Sequence, residues 1–307
     1  MSSTTQPDRG ILRHAVFVTG PTSVGKSEIA LSLALRHGGE IVNADAFQLY
    51  REFPVLSAQP SAPELATVPH HLFGCVPCAE EMDAARFAGL ALGAMADVVA
   101  RGRVPFVVGG SGLYLQALLQ GLPELPSIDP AVRLRVRALP LAEAVAELRR
   151  LDPASAAAID LQNPRRVARR LELCWQTSRL ASELLAPPAD PSPCRGVVLV
   201  RERDDLHRRI AAAVSLRLQN GAIEEVALAR SVAGTTARQI LGWREITAYL
   251  DGQLTFEDCR ERLIVSTRQY AKRQLTWFRA KSTFPFINIS AVTPDILDRI
   301  SRESGLP

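Results

Sequence analysis

Gly20, Pro21, Thr22, Ser23, Val24, Gly25, Lys26 and Ser27 follow one another with the spacing of a phosphate-binding loop. Backbone N–H groups of such a turn, backed by the dipole of the helix they open, hold a diphosphate or a triphosphate. Lys26 adds a point charge, and the Ser27 hydroxyl is a ligand for Mg²⁺. Only three of the 36 Lys+Arg residues are lysine, namely Lys26, Lys272 and Lys281, so a lysine kept in the loop points to a need for a compact ammonium. The loop reports phosphate, not which phosphate compound. Asp45 ends the next apolar run, and two roles fit it: a carboxylate associated with a metal ion, or a general base for a nucleophile brought to the phosphate compound. A second glycine turn, Gly109, Gly110, Ser111 and Gly112, closes a third apolar run without the carboxylate that a nucleotide-hydrolysing strand carries there. That weakens an ATPase reading. Its glycines serve either a tightly packed turn or the close approach of a planar or allylic group.

Two further clusters are basic. Across residues 267–279, Arg268, Lys272 and Arg279 share one helical side, and Arg273 and Trp277 lie one turn apart. Cations interleaved with aromatics suit phosphate contacts and base stacking, although a solvated amphipathic helix has the same pattern. Arg165, Arg166, Arg169 and Arg170 form the other cluster. Residues 201–281 hold 15 Lys+Arg against 10 Asp+Glu, a surplus of five, so the rest of the chain is near balance. Cys75 and Cys78, after His70 and His71, are spaced like half a zinc site or a redox pair. No second Cys/His pair follows, so incidental loop cysteines are the expectation.

These residues need elements to position them. Apolar runs at 14–19, 40–44, 103–108 and 196–200 read as strands, with a possible late strand at 284–289. Helical stretches separate them, at about 81–101 for example, which predicts an α/β fold: a parallel sheet flanked by helices around the phosphate loop. From 129 to 185 the periodicity is helical only, with Pro153 and Pro164 at helix starts. Pro-rich stretches at 122–126 and 186–193 bracket this block. The expected division is therefore a core of 1–120 and 195–307 interrupted by an all-helical insertion of 121–194.

With 307 residues, 47% hydrophobic and 22% charged, the chain is composed like a globular protein with a full core. No run approaches the ~18 apolar residues of a spanning helix, and residues 1–13 lack an export pattern. Five scattered cysteines do not make a secreted disulfide framework. A cytoplasmic protein is expected.

Taken in order, Gly20–Ser27, Asn43–Tyr50, Pro69–Leu72, Val108–Tyr114, Asn163–Arg166, Gly242–Glu245 and the 267–279 helix resemble the tRNA dimethylallyltransferase family. The resemblance covers about residues 14–280. It implies transfer of an isopentenyl group from dimethylallyl diphosphate to N6 of the adenosine 3′ to the anticodon, by a monomer with Mg²⁺. The insertion would grip the anticodon stem-loop, and ATP would not be consumed. Gly20, Pro21, Thr22, Ser23, Val24, Gly25, Lys26 and Ser27 would then bind the diphosphate, with Ser27 on the metal ion. Asp45 would be the general base, Lys26 would act in catalysis on the leaving diphosphate, and Ser111, also catalytic, would stand where the family has a channel threonine. Asp45, Ala46, Phe47, Gln48, Arg165, Arg166, Val167, Ala168, Arg169, Arg268, Lys272 and Arg273 would touch tRNA. Two positions depart from the family pattern: Gln59 replaces a lysine, and Ala213 replaces an arginine that the resemblance assigns to the departing diphosphate. Arg209 and Arg217, on adjacent faces of the same helix, are candidates to compensate. A P-loop kinase or nucleotidase, a transferase for free AMP and a tRNA-binding paralogue of impaired activity are the competing expectations.

Overall fold

A computed structural model describes residues 9–123, 125–185, 194–289 and 293–306; the expected Pro-rich stretch at 186–193 and most of the polar 1–13 segment lie outside them. Residue contacts divide the chain into two compact units, one of Met1–Leu119 with Ser192–Pro307 and one of Gln120–Pro191.

In the first unit, short apolar runs form strands that are buried on both faces in the middle of the sheet, as a helix-covered parallel sheet demands, and partly exposed at its two edges. They are β1 (Val16–Thr19), β2 (Gly39–Asn43), β3 (His70–His71), β4 (Val104–Gly109), β5 (Arg195–Val200) and β6 (Phe286–Asn288). The described strands make one parallel sheet in the order β3-β2-β4-β1-β5-β6. The chain leaves β1 to one side for β2 and later to the other for β5, so the order reverses beside β1. Open α/β sheets bind ligands outside the carboxyl ends of their strands at such a reversal. Here those ends are Thr19 on β1, Gly109 on β4 and Asn43 on β2, with Thr19 opposite Gly109 and Asn43 opposite Val108. The three sequence segments of chemical interest start from these three points.

Two elements differ from expectation. Residues 9–14 form a 3₁₀ helix (Arg9–His14), so β1 begins two residues later than the apolar run. β3 is too short for any periodicity to reveal. It is held by Pro69 and its neighbours against β2, and the His71 imidazole meets Glu40, which also takes two hydrogen bonds from Arg101. Helices begin where capping chemistry predicts. Asp83 accepts from Arg86 N–H to start Ala84–Ala100, Thr255 caps Phe256–Lys281, and Thr293 caps Pro294–Glu303.

The regular elements among the second unit's described residues are all helices, including Pro130–Arg137, Leu141–Leu151, Pro153–Ala158, Pro164–Thr177 and Ala181–Leu184. Val136, Ala144, Leu148, Ala156, Val167 and Leu171 form one core cluster, and Ile128, Leu173, Cys174 and Ala181 another. Pro153 and Pro164 sit in first turns behind Asp152 and Asn163, whose side chains accept from Ser155 N–H and Arg166 N–H. Asp152 is fully buried and also takes two hydrogen bonds from Ser182. Burial pushes its carboxyl up, but the Ser155 and Ser182 hydrogen bonds outweigh this and bring it down to about 2.

Candidate active site

The phosphate loop turns sharply because glycine supplies its left-handed backbone. Gly25, at φ 108°, is the last residue before the Lys26–Arg36 helix. Gly20 is required by proximity as well, since a Cβ there would lie 2.4 Å from the Leu199 carbonyl oxygen. Ser23 adopts φ 61° without being glycine, and its buried hydroxyl has no hydrogen-bond partner. An orphaned hydroxyl in a left-handed turn facing a cavity fits an anion that is to be received there.

The loop opens into a cavity of ≈ 480 Å³, lined among others by Lys26, Ser27, Asp45, Gln48, Gly109, Arg209, Ala213 and Arg217. Lys26 donates to the Pro21 carbonyl at 2.8 Å. Burial pulls its ammonium down to about 8, opposed by the Asp45 carboxylate. Asp45 is pushed above the ordinary carboxylate range by burial, against the Phe47 N–H bond at 3.0 Å and the charges of Lys26 and Arg217. The result is a carboxylate that is a stronger base than one in water.

Asp45 is held from behind. The fully buried Asn43 amide accepts from Asp45 N–H at 2.7 Å and donates to the carbonyls of Asp45 and Leu72. Ser111 contributes from the β4 turn by accepting from Ala46 N–H at 2.9 Å. Phe47 packs against Tyr270, with ring centroids 5.8 Å apart, and Gln48 donates to the carbonyls of Ser57 and Ala58. Gln59 donates to the Tyr50 carbonyl at 2.7 Å, so in place of a cation it supplies a brace for the same loop.

Gln274 ties the turns together. Buried on the Phe256–Lys281 helix, it accepts from Thr22 N–H at 2.8 Å and donates to the Gly110 carbonyl at 2.9 Å. The glycines of the β4 turn are needed for packing: a Cβ on Gly109 would lie 2.1 Å from the Ala44 oxygen, one on Gly110 2.5 Å from Gln274, and one on Gly112 2.6 Å from Trp277. Of the two expectations for this turn, the close packing is the one that its contacts account for.

Several expected ligand residues are engaged within the protein itself. Pro21 has no N–H, and its carbonyl is engaged by Lys26. Thr22 lines the cavity, but its N–H is given to Gln274. Val24 is wholly buried and its carbonyl accepts from Arg201, so its side chain touches no ligand. Val167 lies in the core of the helical unit and cannot reach RNA by its side chain. Around it, Arg165 and Arg166 are exposed, whereas Arg169 is half-buried 3.8 Å from Glu172. Ala168 is half-buried beside them. On the long helix Lys272 and Arg273 are exposed, with Arg273 over the Tyr270 ring, while Arg268 is half-buried. His70 and His71 face Val68 and Glu40 instead of the cysteines, and no cluster of three metal-ligating side chains occurs among the described residues.

A family model described as IPP transferase matches residues 48–281, and one described as isopentenyl transferase matches residues 13–71. The chain is 37% identical over 303 residues to a tRNA dimethylallyltransferase of Desulfovibrio desulfuricans, covering 95% of this chain and 91% of that one. It is 44% identical over 273 residues to the tRNA dimethylallyltransferase of Anaeromyxobacter dehalogenans, covering 86% and 91%. This chain belongs to the tRNA dimethylallyltransferase family. Its fold agrees with the full-length tRNA isopentenylpyrophosphate transferase of Bacillus halodurans at TM-score 0.69 and 33% identity, covering 95% of this chain and 96% of that one. It also agrees with a eukaryotic dimethylallyltransferase crystallised acting on tRNA, at TM-score 0.75 and 26% identity, covering 89% and 73%. As a dimethylallyltransferase the chain is a prenyl-transferring enzyme, and the kinase and nucleotidase expectations fall away.

Sequence reading missed Asn43, Tyr270 and Gln274. A signal existed for Gln274: with Thr267, Ala271 and Phe278 it lies on the buried face of its helix, where a polar residue needs a specific partner.

Proposed function

We propose that this chain transfers a dimethylallyl group from dimethylallyl diphosphate to N6 of the adenosine 3′ to the anticodon in tRNA. One observation carries the reading: a single cavity joins a phosphate loop, its lysine and a half-buried carboxylate. The diphosphate is held by loop N–H groups, Lys26 and the Ser23 hydroxyl. N6 attacks C1 of the allylic group as the C1–O bond breaks, the diphosphate leaves with the bonding pair, and Asp45 takes the N6 proton. An adenine amine is a weak nucleophile, so a base within hydrogen-bond reach is the chemical requirement. Ser111 keeps Asp45 in place through Ala46.

The donor set suits Mg²⁺ held mainly by diphosphate oxygens with the Ser27 hydroxyl, since no cluster of three metal-ligating side chains occurs among the described residues; bound there, the ion would offset charge on the leaving group. Arg165, Arg166 and Arg169 on the helical unit, with Arg268, Lys272 and Arg273, supply phosphate contacts for the anticodon stem-loop, whose target adenine must be splayed out of its stack. Asp45, Ala46, Phe47 and Gln48 meet that base. The enzyme is taken to work as a monomer, and a tRNA substrate is met in the cytoplasm. The test is transfer of labelled dimethylallyl groups to anticodon stem-loop RNA or to AMP. Label in the RNA alone is expected; label in AMP alone, or in neither, overturns the reading.

A further inference from the structure

On the Arg203–Gln219 helix, Arg209, Ala213 and Arg217 stand one turn apart along one face, and all three line the phosphate-loop cavity. The two arginines are used differently. Arg209 donates through Nε to the Ser23 carbonyl at 3.1 Å, so it braces the loop. The Arg217 side chain makes no hydrogen bond and no ion pair with any described residue, although burial opposes its charge. Its electrostatic attraction is to Asp45, across the cavity and without direct contact. Ala213 between them is too short to reach in. A half-buried guanidinium that lines a cavity has its five N–H groups available to acceptors brought by a ligand, and the described residues provide none.

We propose that Arg217 is a catalytic residue that grips the departing diphosphate, taking from one turn further along the helix the place that Ala213 leaves vacant. The inference rests on the functional reading above. As the C1–O bond breaks, negative charge grows on the diphosphate oxygens, and a planar fork of N–H donors is suited to two of them at once. Lys26 and the loop N–H groups hold the anion in the ground state, whereas Arg217 meets the charge that develops.

The test uses the full chain and three proteins: wild type, Arg217→Met, which keeps the bulk of the stem, and Arg217→Lys. Two quantities are measured: steady-state transfer to stem-loop RNA, and binding of inorganic diphosphate by calorimetry. Losing such a contact is expected to lower kcat by about 10²–10³-fold in Arg217→Met, with the KM for RNA nearly unchanged and diphosphate affinity reduced by about tenfold or more. Arg217→Lys should recover part of the loss. Turnover by Arg217→Met within about threefold of wild type would overturn the proposal. So would full diphosphate affinity in that variant combined with a shifted acid limb of the pH profile, because Arg217 would then act only on Asp45. If the wild type transferred label to no acceptor, the functional reading would fail, and the calorimetric comparison would still decide whether Arg217 binds the anion.

Discussion

Asp45 is a compromise between burial, which favours its neutral form, and Lys26, Arg217 and the Phe47 N–H, which favour its charge. Burial wins, and the sign of the pH effect follows. Proton abstraction needs the carboxylate, so kcat/KM should rise with pH through a midpoint above the ordinary carboxylate range and be lost below it; a pH–rate profile checks this. Asp45→Asn retains an acceptor for Phe47 N–H and should leave the loop folded while lowering kcat by about 10²–10⁴-fold, with stem-loop affinity preserved. Near-normal turnover in that variant would remove Asp45 from the mechanism. Gln59 stands apart from this chemistry. Its amide serves the Tyr50 carbonyl, so the missing lysine has been exchanged for a structural contact.

Elements act here by pinning one another's ends. The Phe256–Lys281 helix fastens the phosphate loop to the β4 turn through Gln274, a side chain whose two ends need opposite partners, N–H and C=O. Gln274→Leu removes both bonds, leaves two buried backbone groups without them, and should cost roughly 2–4 kcal/mol by denaturant titration while raising the KM for dimethylallyl diphosphate. An unchanged KM would show that the loop holds its shape without this brace. In the helical unit Asp152 does comparable work for two helix starts. Its folded carboxyl lies below the unfolded value, so its contribution is complete above about pH 4 and is lost as pH falls towards 2. Far-UV circular dichroism of Asp152→Ala against wild type should show a lower midpoint at pH 7 and a gap that closes in acid.

At the scale of the whole molecule, a net charge of +4 is too small to attract RNA by itself, so placement of the arginines matters more than their number. Arg165→Ala and Arg166→Ala should each weaken stem-loop binding without sequence preference and reduce the slope of log affinity against log salt by about 0.7. Filter binding at several salt concentrations measures both. A variant of Arg165 or Arg166 with wild-type affinity and slope would take that residue out of the RNA contacts.

The phosphate loop, its strand and helix, the helical block and its capped prolines were all legible in the sequence because each depends on neighbours a few positions apart. So was Asp45, since a carboxylate ending a strand after a phosphate loop falls at a predictable edge. What only the tertiary structure decided depends on groups far apart in the chain: Gln274 with Thr22 and Gly110, Asn43 with Leu72, and Arg217 opposite Asp45. β3 belongs to the same class, because two residues become a strand only when β2 is beside them. Local spacing specifies helices, strands and turns, but whether a buried amide or guanidinium finds a partner is settled by which distant backbone folds against it.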